Sequence, residues 1–207
     1  MKTWGQAEGL IAVDVPGAPW PVVEDALRTI ARDYFSRTLA WRASLDPQLT
    51  AVGVWEYDAA EETGAEPVKI LTATCDRSPL RPLTTREFML ERARAGGNGH
   101  PEFLSFNGES LLIWPPPMVA GQEVWVEVAF RPTLTAKGLP DEIWSEHVEA
   151  LTDGVRAKLM SQRDKPYTDP NGAKIAAAAY REAAATAGVV ATKGYTRART
   201  NSTARFF

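Results

Sequence analysis

Residues 103–117, FLSFNGESLLIWPPP, contain the strongest local folding signal of this chain. Two apolar runs flank Asn107-Gly108, and an Asn-Gly pair between such runs is typical of the tight turn of a β-hairpin. Three prolines follow the second run. Because proline donates no backbone hydrogen bond, they are expected to end the pairing of that strand. The middle of the chain is therefore predicted to form antiparallel β structure.

Further strands are predicted on both sides of this hairpin. They are residues 51–57, which alternate loosely, residues 68–75, which are β-branched and apolar, and residues 124–130. The last of these places four apolar side chains on one face at period two, namely Val124, Val126, Val128 and Phe130. A helix is predicted before the hairpin, since Thr84 and Glu87 have the spacing of a capping box and Gly96-Gly97 would terminate the helix.

Longer helices are predicted towards both ends of the chain. One begins at Pro21, because proline suits the first helical position, and ends near Leu39. Another opens at Pro140, where Asp141 and Glu142 supply the negative charge that favours a helix N-terminus. Both have apolar residues at helical spacing, which indicates that each helix buries one face.

The last thirty-nine residues combine a helix with a basic tail. Residues 169–188, DPNGAKIAAAAYREAAATAG, predict a helix with Asp169 as N-cap, Pro170 at its first position and Gly188 at its end. Residues 189–207, VVATKGYTRARTNSTARFF, contain no acidic residue and are too poor in apolar surface to fold alone. We therefore expect this tail to order against a partner, through Lys193, Tyr195, Arg197, Arg199, Arg205, Phe206 and Phe207.

Together these patterns predict an α+β fold. It is a helical bundle, made of the N-terminal helix and two C-terminal helices, with an inserted small antiparallel β domain and an extended C-terminal tail. The expected boundaries are an irregular N-terminal segment over residues 1–20, a helical body over 21–45 and 133–188, a β domain with one inserted helix over 46–132, and the tail over 189–207.

Composition narrows the class of protein. The 207 residues have 26 Asp and Glu against 23 Lys and Arg, a formal net charge of -3, so bulk electrostatics does not favour binding of nucleic acid by the body. The lone Cys75 cannot form an intrachain disulfide, and a buried structural thiol is the favoured interpretation. No run approaches the roughly 20 apolar residues that span a bilayer, and no secretory signal is recognisable. We expect a soluble protein made in the cytosol.

Candidate chemical groups are few. His147 has no carboxylate at helical spacing three or four, so a surface or interface histidine is favoured over a catalytic base. His100 follows Gly96–Gly99, which lacks the strand-to-helix context and the Lys-Ser/Thr ending of a phosphate loop. Glu61-Glu62 lies in a polar connection and is interpreted as a solvated loop. The sequence thus predicts no catalytic residue, no cofactor site and no metal site.

The order of segments resembles a known family. The relevant stretches are ALRTIARDYFSRTLAW, CDRSPLRPLTTREF, LLIWPPP, VWVEVAFRPT, LPDEIWSEHVEALTDGVRAKLM and KPYTDPNGAKIAAAAYREAAATA, followed by the Arg-rich tail. Over residues 20–207 this pattern is similar to the head-to-tail adaptor, or connector, proteins of tailed bacteriophages, particularly the tail tubular protein A-like adaptors of short-tailed phages.

The resemblance implies a structural virion protein at the head-tail junction, synthesised in the host cytoplasm. Such adaptors form a homo-oligomeric ring of twelve copies beneath the portal protein and extend the DNA channel to a downstream tail or nozzle protein. The tail is then expected to dock on the portal, genomic DNA to pass without specific binding, and no membrane to be involved. The alternatives are a neck or tail-completion protein that contacts the tail tube, and a small hydrolase with a site built from scattered Asp, Glu and His.

Overall fold

The fold is given by a computed structural model, which describes residues 1–58, 64–94, 96–108 and 110–193. Its helices are α1 (Glu8–Ile11), α2 (Trp20–Thr38), α3 (Thr85–Arg94), α4 (Asp141–Met160) and α5 (Pro170–Lys193). Its strands are β1 (Lys2–Thr3), β2 (Arg42–Ser44), β3 (Gln48–Leu49), β4 (Glu56–Asp58), β5 (Ala65–Cys75), β6 (Ser78–Pro79), β7 (Arg81–Pro82), β8 (Phe103–Phe106), β9 (Ser110–Trp114), β10 (Glu123–Pro132) and β11 (Gly138–Leu139). The chain divides into a helical unit, residues 1–41 and 131 onward, and a β unit, residues 42–130.

This mixed α+β structure corrects the predicted fold. The described ranges contain five α-helices and eleven strands in three sheets, so the prediction of a helical bundle with a small β insertion is wrong. Several of the additional strands have only two or three residues, too short for a period to be visible in the sequence. The predicted helix end at Gly188 is also wrong, because α5 continues to Lys193.

The β unit contains two of the three sheets. In one, the strand order is β2-β10-β5-β6, with β3 also paired to β10; in the other it is β4-β9-β8-β7. Alternate residues of β10 are buried, and Val124, Val126, Val128 and Phe130 are each at most 2% exposed, which confirms the predicted inward face. A second group of buried apolar side chains, Phe88, Leu112 and Trp114, lies against Trp55, Leu83 and Phe103.

Two local predictions in the β unit are confirmed. The hairpin pairs β8 with β9 in antiparallel register, with Phe106 opposite Leu111. Its turn is closed by the Ser110 amide, which donates to the Asn107 side chain at 2.8 Å, and Gly108 has the positive φ that this turn requires. At α3, the Thr84 amide donates to the Glu87 carboxylate at 2.9 Å and the Glu87 amide donates to the Thr84 hydroxyl at 3.3 Å. These reciprocal bonds are the predicted capping box.

The N-terminal segment is more ordered than the expected irregular stretch. β1 pairs with β11 in a two-stranded sheet, a 3₁₀ turn covers Trp4–Ala7, and α1 follows. Trp4 is 1% exposed, and its indole N–H donates to the carbonyl of Ala136 at 2.7 Å. Burial of this large side chain with its polar group satisfied explains why the segment packs on the helical unit. The glycines and prolines of this segment led to the expectation of an irregular structure.

The core of the helical unit is built by α2, α4 and α5. As predicted, α2 carries a proline in its first turn and ends near Leu39: Thr38 is its last residue, and Leu39 caps it in a left-handed conformation. Gly154 of α4 lies where α2 and α5 both pack tightly against α4: a Cβ there would lie 2.6 Å from Cγ2 of Ile30 in α2 and 2.9 Å from the ring of Tyr180 in α5. The helices can pack this closely because position 154 has no side chain.

Replacing Gly154 by Ala is expected to destabilise the helical unit. The added methyl must displace Ile30 or Tyr180. The free-energy cost of this displacement outweighs the gain of about 1 kcal/mol in helix propensity that alanine has over glycine. Gly188→Ala is the matched control, since a Cβ there would lie 3.9 Å from Thr38. That control should raise stability by about 0.5–1 kcal/mol. Thermal melts of both variants test this; an equal gain in stability from both would contradict the assigned packing.

Candidate functional site: the C-terminal helix and the segment it presents

The start of α5 is fixed by the residue just before it. The Asn171 amide donates to the Asp169 carboxylate at 3.0 Å, and the Ala173 amide donates to the Asp169 carbonyl at 2.9 Å. Pro170 is the first helical residue. These contacts confirm the predicted N-terminus, and helix capping accounts for the Asp-Pro-Asn-Gly sequence.

One aromatic residue anchors the alanine-rich helix to the body. Tyr180 is the only large side chain within the run of α5 from Ala176 to Ala187 that packs inward, and its hydroxyl donates to Asp33 of α2 at 3.2 Å. Burial, followed by the charge of Asp33, raises the pKa of Tyr180, so the phenol stays protonated and keeps this bond at neutral pH. Because Ala173 and Ala176 are also buried, α5 is held along its first half.

The C-terminal half of α5 borders an open groove. Its volume is about 560 Å³, and it is lined by Arg37 of α2 and by Ala184, Ala185, Gly188, Val189, Thr192 and Lys193 of α5. Val189 and Val190 are large apolar side chains that remain exposed in this part of the helix. Arg37 forms an ion pair with Asp33 at 2.8 Å, one turn away on α2. The groove therefore has small apolar walls with basic side chains beside them, a surface suited to binding rather than to chemistry.

The structure locates one of the predicted interaction residues. Lys193 is exposed and is the last residue of α5, at the end of this groove. The other six predicted residues lie outside the described residues, namely Tyr195, Arg197, Arg199, Arg205, Phe206 and Phe207. Helix α5 thus includes the first five residues of the predicted basic tail and ends at Lys193.

Sequence reasoning missed the residues that hold this arrangement. Asp33 and Tyr180 are 147 positions apart in the chain, and neither has a motif. A usable signal existed for Tyr180, since a single large aromatic in an alanine-rich helix suggests an anchor. No comparable signal existed for Arg37 or Asp33, because their importance arises from the packing of α2 on α5.

His147 corrects another expectation. The residue was predicted at a surface or interface, but it is 5% exposed in the core of the helical unit. Its Nδ1 lies 3.2 Å from the hydroxyl of Tyr34, and its ring contacts those of Tyr34 and Phe35. The prediction considered only the spacing of carboxylates around His147, which says nothing about its burial. The apolar face that His147 shares with Trp144 and Leu151 would have indicated a buried position.

The pKa values of this buried pair are shifted in the directions that burial dictates. Desolvation lowers the pKa of His147, and the nearby charge of Glu146 opposes the change. Desolvation also raises the pKa of Tyr34 to about 12. Both groups are therefore neutral at physiological pH, which allows one hydrogen bond to satisfy them in the core.

We expect His147 to make the protein less stable in mild acid. Its folded pKa lies below the unfolded value of about 6.5, so in acid the unfolded chain binds a proton that the folded chain does not. The free energy of unfolding should therefore fall as pH drops below about 6.5 and stop falling, for this group, below the folded pKa. Melting temperatures from about pH 7.5 to 5 should show a smaller slope for His147→Gln than for the parent chain. The exposed His100→Gln is the control, and identical slopes for all three proteins would contradict the prediction.

The remaining polar candidates do not assemble into a reactive centre within the described ranges. Cys75 is fully buried, as predicted, and desolvation raises the pKa of its thiol. His100 is exposed. Among the residues the structure describes, no group of three or more His, Cys, Asp or Glu side chains is placed to hold a metal ion. Glu61-Glu62 lies outside the described residues.

No protein-family model matches the chain, and no curated protein matches it. In the described part of the chain, no helix has both the length and the apolar character needed to cross a bilayer.

Proposed function

We propose that this chain is a structural phage protein, a ring-forming head-to-tail adaptor that docks beneath the portal protein through its C-terminal segment. The observation that supports this most directly is the course of α5. The helix is capped at Asp169, anchored at Tyr180, and continues to Lys193, five residues into the acid-free segment 189–207. A helix held in this way presents the segment to a partner at a fixed point.

The chemistry of the segment defines the partner surface. Arginine makes bidentate, charge-assisted hydrogen bonds to carboxylates, and Phe side chains anchor in apolar pockets. The matching portal surface therefore combines acidic side chains with an apolar crevice. The groove beside Arg37 and Val189 extends this binding surface onto the folded body.

Charge distribution supports the second part of the proposal, a channel that DNA traverses without binding. Residues 42–130 carry thirteen Asp and Glu against seven Lys and Arg. Since Lys and Arg contacts to phosphate supply most nonspecific DNA affinity, an acidic unit of this kind binds passing DNA weakly. In this proposal the ring joins the portal to a downstream tail or nozzle protein.

Co-sedimentation with the portal at low and high salt tests the docking chemistry. Replacing Arg197, Arg199 and Arg205 by Gln should give a partial loss of binding that depends on salt, because charge pairs are screened. Replacing Phe206 and Phe207 by Ala should give a loss that is the same at both salt concentrations. Arg181→Gln, an exposed change on α5, is the control. Undiminished binding by both tail variants would contradict the proposal.

A further inference from the structure

Strand β3 and two loops of the β unit form an apolar platform. We define it by Leu49 of β3, Val52 and Val54 of the loop that follows, and Met118 and Val119 of a second loop, whose side chains are between 38% and 66% exposed. Soluble proteins usually expose large apolar side chains singly, so five on these adjoining segments mark an interaction surface.

Hydrogen bonds join these loops to each other. The Thr50 hydroxyl, on a residue that is 3% exposed, donates to the Val119 carbonyl at 3.0 Å and accepts from the Gln122 amide at 3.0 Å. The Gly53 amide donates to the Pro117 carbonyl at 2.9 Å, and the Gly121 amide donates to the Thr50 carbonyl at 2.8 Å. The platform is therefore pre-organised, which lowers the entropic cost of binding.

The charge around the platform is of one sign. No Lys or Arg occurs in residues 43–68 or 95–130. The exposed acidic residues Asp46 and Glu56 flank the first loop in sequence, and Glu123 is opposite Leu49 in the β3–β10 register. A partner of the platform should accordingly present apolar side chains bordered by basic ones.

Helix α3 has a face of this composition. Phe88 is its buried residue, and Arg92 lies over the Trp55 ring at 4.0 Å, so this side of the helix packs on the β unit. The opposite stripe, at helical spacing, has Met89 and Leu90 exposed at 44% and 50% and continues through Ala93. It is bordered by the exposed Arg86 and Arg94; Arg94 also forms an ion pair with Glu91 at 3.1 Å. We call this set of five residues the α3 stripe.

We propose that copies of this chain associate by packing the α3 stripe of one copy on the apolar platform of another. Each surface has an apolar centre, and the two have opposite charge, basic on the stripe and acidic around the platform. Because stripe and platform are different surfaces, the contact is suited to head-to-tail assembly, which closes into a ring when the rotation allows. The inference rests on the ring-forming part of the proposed function and deepens it, because it identifies the residues that lie between copies.

Charge exchange between the two surfaces tests this contact. The full chain is studied by sedimentation velocity and mass photometry over a range of concentrations. One variant carries Arg86→Glu and Arg94→Glu, and another carries Glu56→Lys and Glu123→Lys. Each variant alone should associate at least about tenfold more weakly than the parent chain, because like charges then face each other. Lys69→Glu, an exposed charge reversal outside both surfaces, is the control and should associate like the parent.

Mixing the two variants gives the decisive result. In the mixture, the acidic α3 stripe of the Arg86→Glu, Arg94→Glu variant faces the basic residues around the platform of the Glu56→Lys, Glu123→Lys variant. The other contact, between the unchanged stripe of the second variant and the unchanged platform of the first, is that of the parent chain. Association should therefore return. Unchanged melting temperatures establish that the variants are folded. A parent chain that stays monomeric at its highest soluble concentration, or a mixture that does not recover association, would overturn the inference. Association without portal binding would instead contradict only the portal-docking part of the proposed function.

Discussion

Replacing Val126 by Asp is expected to unfold the β unit. Val126 is 2% exposed on the inward face of β10, a strand that lies between β2 and β5 in its sheet. The substitution leaves a carboxylate among apolar side chains without a partner, which costs about 3–5 kcal/mol. That loss is large against a typical total stability of about 5–15 kcal/mol.

The same substitution at an exposed valine is the control for this effect. Val119 is 58% exposed in the same unit, so Val119→Asp should change the free energy of unfolding by no more than about 0.5 kcal/mol. Urea titrations followed by circular dichroism measure both. Similar unfolding midpoints for the two variants would mean that Val126 does not face the core.

Removal of residues 194–207 is expected to abolish portal docking while the body stays folded. The contacts that hold α5 precede the cut, among them the hydrogen bond between Tyr180 and Asp33 and the burial of Ala173 and Ala176. The melting temperature should therefore stay within a few degrees of that of the full chain, which corresponds to less than about 1 kcal/mol. The variant should nevertheless lose the arginine and phenylalanine contacts together.

A longer truncation distinguishes the end of the helix from the rest of the tail. Ending the chain after Gly188 also removes residues 189–193, which complete α5 and line its groove. This variant should lose docking and, in addition, some helical content. Full docking by either truncated chain in co-sedimentation would contradict a role for the C-terminal segment.

Local signals explain which parts of the fold could be predicted. The turn at Asn107-Gly108, the capping box at Thr84 and the helix start at Asp169 each depend on residues within four positions of one another. Strands such as β6 and β7 have two residues each and exist only through their partners. The sequence shows no period there, so the extent of the sheets was missed.

In the helical unit, too, local sequence signals were not sufficient to predict the structure. Gly188 is a common helix terminator, yet it lies inside α5 without a positive φ, because the residues after it continue the helix. The candidate site was predictable in composition, through the acid-free segment and Lys193. The residues that hold the helix in place were not predictable, because Tyr180 and Asp33, which form a hydrogen bond, are 147 positions apart in the sequence.

Electron microscopy of the full chain mixed with purified portal rings is the most direct test of the proposed adaptor function. We expect a closed ring of copies beneath each portal, with density from the end of every α5 reaching the portal surface. The same experiment with the chain ending at Lys193 should show bare portals. Bare portals with the full chain, or a ring bound equally well without residues 194–207, would contradict it.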